Sequence, residues 1–350
     1  MGFGSIPGLD PAFPWGSNRP TTAQRVAVAL VIAAIAAVAH YFRAAEVGGL
    51  SDFGAVWQGA RVLLDGGNPY TAIGPGREIE MPWPTRYPAP AFVAAAPLTL
   101  LPLHSASTLF TFVSTALLTF GATAGSWHRL AAFPSIAFIT SAQLGQWSIL
   151  FSAALFLPFL SILAVVKPPT ALPVLAAARD RHSVKLAIAG AVVFGSVSFM
   201  LFPQWPAAWL EVVEASDNFS IPITRFGGPA ILLVAIRWRR PEAWLILAAA
   251  CTPQVAHPYN SLVLLFVAAT YREACVLSLV SSAAWLGMAV LIQGQNSVEM
   301  RGELWGTLIA FCYLPATIAV LRRPNADLQP WWLGKLLPFF SRIILIGRGR

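Results

Sequence analysis

The chain has 350 residues, 57% of them hydrophobic and 11% charged, with a mean hydropathy of +0.65. A typical soluble domain carries about 25% charge, so this composition argues against an ordinary cytosolic enzyme, a disordered chain or a disulfide-rich secreted module. The excess of 23 Lys and Arg over 15 Asp and Glu reads as loop charge that sets membrane orientation; no basic helix with interleaved aromatics and no zinc-ligand spacing points to nucleic acid.

Residues 1–24 read as a flexible cytoplasmic arm rich in Gly and Pro. The first apolar run, about 25–42, contains Ala37-Val38-Ala39, which resembles a signal-peptide cleavage site; the many later runs favour an uncleaved first helix. Residues 43–88 form the longest polar stretch and are expected outside the cytoplasm. Within it, apolar positions 53, 56, 57, 60, 63 and 64 predict a helix over Asp52–Leu64 with one apolar face, suited to lying on the membrane surface. Gly66-Gly67-Asn68-Pro69 is a turn signal.

Further apolar runs follow at about 89–103, 106–125, 131–145, 147–166, 168–178, 186–203, 227–238, 242–256, 259–271, 274–292 and 304–321. Several are shorter than a full span and read as re-entrant or broken helices. Gly121 and Gly125 form a weak close-packing signal. Cys251, Cys275 and Cys312 lie in apolar runs without a paired spacing, so neither a disulfide framework nor a metal site is expected. Residues 322–350 read as a basic cytoplasmic amphipathic tail. The expected fold is an all-α integral membrane protein: a polytopic bundle of about 10 transmembrane helices, within about 9 to 12, over residues 25–321, with a surface helix in the first outer loop.

Basic clusters at Arg179–Lys185, Arg237–Arg240, Arg272 and Arg322–Arg323 can all be cytoplasmic if two runs separate each neighbouring pair, as they do. The turn at His257-Pro258 then falls outside, on the same face as Asp52. Parity across 89–178 does not close if every run there is a span. Glu211, Glu214 and Asp217 read as a solvated face, and the sequon at Asn218 as chance in a chain of bacterial composition.

An early acid in an outer loop of a polytopic scaffold suits a reaction on a membrane-borne substrate. The segment "SDFGAVWQGARVLLDGGNPY", followed by "RYPAPAFVAAAPLTLLP", resembles the first loop of glycosyltransferase family 87, polytopic enzymes of the GT-C type. "GQWSILFSAALF" at 145–156, "VVKPPTALPVL" at 165–175 and "TPQVAHPYNSLVLL" at 252–265 are similar to later pieces of that family. The resemblance implies transfer of mannose or a related sugar from a polyprenyl phosphate to a glycolipid or glycan acceptor, on the outer face of a bacterial cytoplasmic membrane. No motif in the sequence requires a nucleotide or a bound metal, so no cofactor is expected beyond that donor substrate.

The same resemblance implies Asp52 as general base, taking a proton from the acceptor hydroxyl as its oxygen attacks the anomeric carbon. Asp52 also stands where an N-cap of the predicted helix belongs. His257 is implied as a donor or acceptor contact, against a helix-end His bonded to a carbonyl. Lys167, ahead of Pro168-Pro169, suits a phosphate or simply snorkels to an interface. Arg61 and Arg86 suit bidentate phosphate contacts or ion pairs with neighbours such as Asp65 or Glu80. Tyr87 belongs to the loop motif. Gln146 reads as a sugar contact or a helix-end polar residue. The short uncharged stretch from Gln146 to Lys167 keeps two other readings open: a non-catalytic GT-C-like subunit with a protein partner, and a lipid or solute transporter.

Overall fold

A computed structural model describes residues 19–46, 51–178, 180–216, 219–291 and 301–326. Most of the expected arm, the sequon at Asn218 and the basic tail beyond residue 326 lie outside the described residues. The fold is mostly helical. The described strand structure is a parallel two-residue pair, Ile73–Gly74 with Ile79–Glu80, and one bridge between Ser220 and Gln254.

Among the described residues, five helices are long and apolar enough to cross a membrane: Thr22–Glu46, Leu103–Ala122, Arg181–Leu201, Tyr271–Val290 and Leu304–Leu321. Arg181–Leu201 exposes Ile188, Val192, Val193 and Met200, an apolar surface that suits lipid rather than water. The other apolar runs expected as spans fold into shorter pieces. Pro158–Val166 and Gly228–Arg237 are 3-10 helices of 9 and 10 residues. A 3-10 helix rises about 2.0 Å per residue against 1.5 Å for an α-helix, so such pieces cover about 20 Å with few residues. Gly190 lets Arg181–Leu201 lie directly on Pro158–Val166: a Cβ there would sit 1.7 Å from the Ile162 carbonyl oxygen.

The bundle has two chemically distinct ends, joined by the first helix. Near its start, Arg25 donates to the Phe120 carbonyl at the close of Leu103–Ala122. Near its finish, His40 Nδ1 bonds the carbonyls of Ala142 and Gln143, next to the turn that precedes Gln146. Arg129, Arg237, Arg240 and Arg323 gather at the Arg25 end. Asp52, Tyr87, Lys167 and His257 gather at the other.

This arrangement locates the run that breaks the parity. The run 89–103 begins beside Tyr87 and ends against His104, which neighbours His40; between them the Trp57 indole donates to the Leu98 carbonyl. Both of its ends therefore lie at the Asp52 end.

The predicted helix over Asp52–Leu64 forms with those bounds, but it is not a surface helix with its apolar face toward lipid. Phe53, Val56, Ala60 and Leu63 are buried in the main core, Phe53 stacks on Phe110 at 4.6 Å, and Gly59 lies against the Phe92 ring. The apolar stripe is covered by the helices Ala89–Ala95 and Leu103–Ala122. Periodicity records that one face is buried, not what buries it.

Candidate active site

Four local structures deliver the site. The first is the start of Asp52–Leu64. Ser51, not Asp52, is the N-cap: its Oγ accepts from the Gly54 amide at 2.9 Å. Asp52 follows as the first helical residue, its amide bonded to the Leu144 carbonyl at 3.1 Å and its carboxylate relieved of capping.

The second is the stretch before Ala89. Asn68 caps a short turn over Pro69–Ala72, its Oδ1 accepting from the Tyr70 amide, and Gly66 supplies the positive φ of 78° that begins it. The turn buries Tyr70 as a strut whose hydroxyl donates to the Tyr87 carbonyl at 3.1 Å. The Trp209 indole donates to the Arg86 carbonyl at 2.9 Å. Arg86 and Tyr87 are thus fixed by their backbone, and both line the cavity.

The third is the hairpin between Gln146 and Lys167. Trp147–Ala154 runs away from the site and Pro158–Val166 returns, so that Lys167 Nζ donates to Gln146 Oε1 at 2.7 Å. The stretch that reads as truncated in sequence is long enough for this return. Pro168, first residue of the next helix, stops the 3-10 segment with Lys167 at the junction.

The fourth is the turn 252–261. Gln254 is held by backbone pairing to Ser220 and by its side-chain amide, which donates to the Tyr313 hydroxyl at 2.7 Å. Tyr313 closes a π-helical turn, Ile309–Tyr313, that aims it at Gln254. His257 is extended, so its ring and that of Tyr259 fall on one side, stacked 4.2 Å apart.

These structures enclose a cavity of about 700 Å³ lined by Asp52, Arg86, Tyr87, Lys167, His257 and Tyr259 among others. That size is within the range of small-ligand pockets. Lys167 Nζ lies 5.4 Å from the Tyr87 ring and 5.3 Å from the Tyr259 ring, between two π faces, and 3.4 Å from the Tyr87 hydroxyl oxygen. That hydroxyl in turn donates to Asp52 Oδ1 at 3.5 Å. The Arg86 guanidinium lies 5.5 Å from the Phe219 ring.

Burial pushes the Asp52 carboxyl above its ordinary range, against the opposing pull of Lys167, Gln146, Tyr87 and Arg86. Burial lowers the Lys167 ammonium, with Asp52 pulling the other way. His257 is lowered to about 4, first by burial and then by the Lys167 charge, so its ring is neutral at neutral pH, and its Nδ1 is buried without a hydrogen bond. The site therefore gathers a carboxyl, an amine, a guanidinium and a neutral imidazole around one cavity.

Of the residues singled out in the sequence, Asp52, Arg86, Tyr87, Lys167 and His257 line this cavity. Arg61 does not: it is exposed, about two and a half turns along its helix on the side away from the core, and it forms no ion pair among the described residues. Gln146 does not line it either; the side chain is fully buried behind Lys167, so it is no sugar contact. Tyr259 and Trp209 were not anticipated. The x-Tyr spacing after His257 in an extended turn could have flagged Tyr259; no local signal marks Trp209. Among the described residues no cluster of three His, Cys, Asp or Glu could hold a metal ion. Comparisons with protein-family models, with curated proteins and with solved structures find no match.

Proposed function

We propose that the chain is a membrane-embedded glycosyltransferase of the GT-C type, moving mannose or a related sugar from a polyprenyl phosphate to a glycolipid or glycan. On this reading the Asp52 end of the bundle faces outward from a bacterial cytoplasmic membrane and the basic end faces the cytoplasm. The traverses that complete the polytopic scaffold, about ten, are the five long helices and the shorter paired segments. The observation that carries the reading is the Asp52 carboxylate, spared from helix capping by Ser51 and set on one cavity wall with Lys167 and Arg86.

The chemistry follows from those charges. Asp52 removes the proton of the acceptor hydroxyl; the oxygen bonds to the anomeric carbon from the face opposite the phosphate, and the carbon–oxygen bond to phosphate breaks with inversion. The electron pair leaves on the lipid phosphate, whose negative charge Lys167 and Arg86 offset. A phosphate needs little protonation to depart, so one base suffices and the paired carboxylates of a glycosidase are not required. The raised Asp52 carboxyl makes the ionised form a stronger base. His257, neutral and with an unbonded Nδ1, suits a sugar or acceptor hydroxyl.

Membranes containing wild-type protein or Asp52→Ala, supplied with labelled polyprenyl-phosphate sugars, test this directly. Loss of a general base lowers transfer on the order of a hundred- to ten-thousand-fold. Unchanged transfer in folded Asp52→Ala removes Asp52 as the base. A wild-type protein that transfers none of the sugars points to the non-catalytic subunit instead.

A further inference from the structure

We infer that Gln146 is a positioning residue: its buried amide holds the Lys167 ammonium and the Asp52 carboxylate apart and presents both to the cavity. The inference takes from the proposed function only that Asp52 and Lys167 act together at one site.

Gln146 is 0% exposed and does not touch the cavity. One side of its amide is used on Lys167, where Oε1 accepts at 2.7 Å. The other side, Nε2, is buried without a hydrogen bond of ordinary geometry, and the group it bears on is the Asp52 carboxylate. Burying an N–H without a full hydrogen bond is costly, so apolar filler would serve a purely structural need better.

The backbone holds the amide in place. Leu144 bonds the Asp52 amide, and Gly145 turns the chain at φ 60°, where a Cβ would meet Phe53 at 3.1 Å and His40 at 3.2 Å. Gln146 therefore cannot drift from Asp52.

Lys167 and Asp52 form no direct ion pair. In a partly buried site an ammonium and a carboxylate attract strongly and, left alone, close into contact. A closed pair would satisfy both charges and leave neither for a substrate. Two spacers prevent this, the Gln146 amide and the Tyr87 hydroxyl, each reaching toward both partners. Like the Tyr87 hydroxyl, the Gln146 amide can offer an acceptor to the ammonium and a donor to the carboxylate at once, which an apolar side chain cannot. The other charged or titratable groups facing this pair are Arg86 and Tyr259 near Asp52 and His257 near Lys167.

The test reads Asp52 itself and does not depend on transfer. Full-length protein in nanodiscs is treated with a carbodiimide, which couples to protonated carboxyls, and labelling at Asp52 is followed against pH by mass spectrometry. In Gln146→Leu, Lys167 closes on the carboxylate and the labelling midpoint falls by about one pH unit; in Gln146→Glu, a second carboxylate beside Asp52 raises it by about as much. If Gln146→Leu does not fold, Gln146→Met, closer in length, carries the same downward expectation. Opposite shifts support the spacer. Shifts in one direction, or none, overturn it and leave Gln146 as filler. Opposite shifts in a protein that transfers no sugar defeat the transferase reading alone.

Discussion

At the basic end of the bundle, buried cations meet carboxylates and backbone carbonyls of the protein itself. Arg323 pairs with Glu273 and donates to the Val267 carbonyl; Arg240 donates to Pro324, Arg237 to Leu321, and Arg129 to Ala122 while lying over Phe156. At the cavity end, Lys167 is held by a neutral amide and two aromatic rings, and the nearest carboxylate is kept from it. The first arrangement ties chain ends together, because each arginine closes the exposed carbonyls of another helix terminus. The second leaves charge available. Buried charges thus serve opposite purposes in one chain, and what separates them is whether the partners meet.

The comparison breaks most sharply at Arg323. Replacing one member of a buried ion pair leaves its partner uncompensated. Arg323→Met is expected to destabilise the protein by about 3 kcal/mol, since Glu273 loses its cation and Glu242 one of two nearby ones. Unfolding in detergent with increasing denaturant measures this. If Arg323→Met matches wild type, the basic end is no clasp.

Asp52 should respond with the opposite sign. Its folded carboxyl is raised above the unfolded one, so the folded protein binds a proton there more readily. The contribution is favourable at low pH and is lost as pH rises through the folded pKa. At neutral pH the ionised group is a burden, and Asp52→Asn is expected to stabilise on the order of 1 kcal/mol while transfer is lost. That gain should vanish toward pH 4. An Asn variant less stable than wild type at pH 7 would mean that Asp52 is structural.

How much of this was readable in the sequence divides along physical lines. The helix Asp52–Leu64 was legible to the residue, because the apolar spacing is a local signal, though the cap is Ser51 and not Asp52. The Gly66–Tyr70 turn was legible as a turn, but Tyr70 as a strut under Tyr87 depends on a contact 17 residues away. The surface placement of the helix failed because periodicity cannot tell lipid from protein as the covering. Long 3-10 segments were not legible: Gly228–Arg237 is an apolar run like those that form α-helices elsewhere in the chain, and no local signal marks its geometry. In the site, Lys167 stood out because an ionisable group between apolar runs is conspicuous. The roles of Arg61 and Gln146 were undecided for a related reason: residue type says what a side chain can bond, and only the fold says what lies in front of it.

His257 gives the finest test of the comparison, because it is a cavity-end group whose protonation would add charge beside Lys167. Its folded pKa is about 4, below the unfolded value of 6.5. Between those values the unfolded chain takes up a proton that the folded ring refuses, so folding stability falls as pH drops through that window. Allowing for its partial exposure, the loss attributable to His257 is on the order of 1–2 kcal/mol. His257→Gln should remove that part of the slope and leave stability at pH 7 little changed. Denaturant midpoints of both proteins from pH 7 to pH 4 supply the comparison, and the difference between the two curves isolates His257 from the other titrating groups. If the curves run parallel, the ring accepts its proton freely and the Lys167 charge is screened from it. The cavity would then be open to water at its charged wall, and the separation that Gln146 and Tyr87 maintain would matter far less.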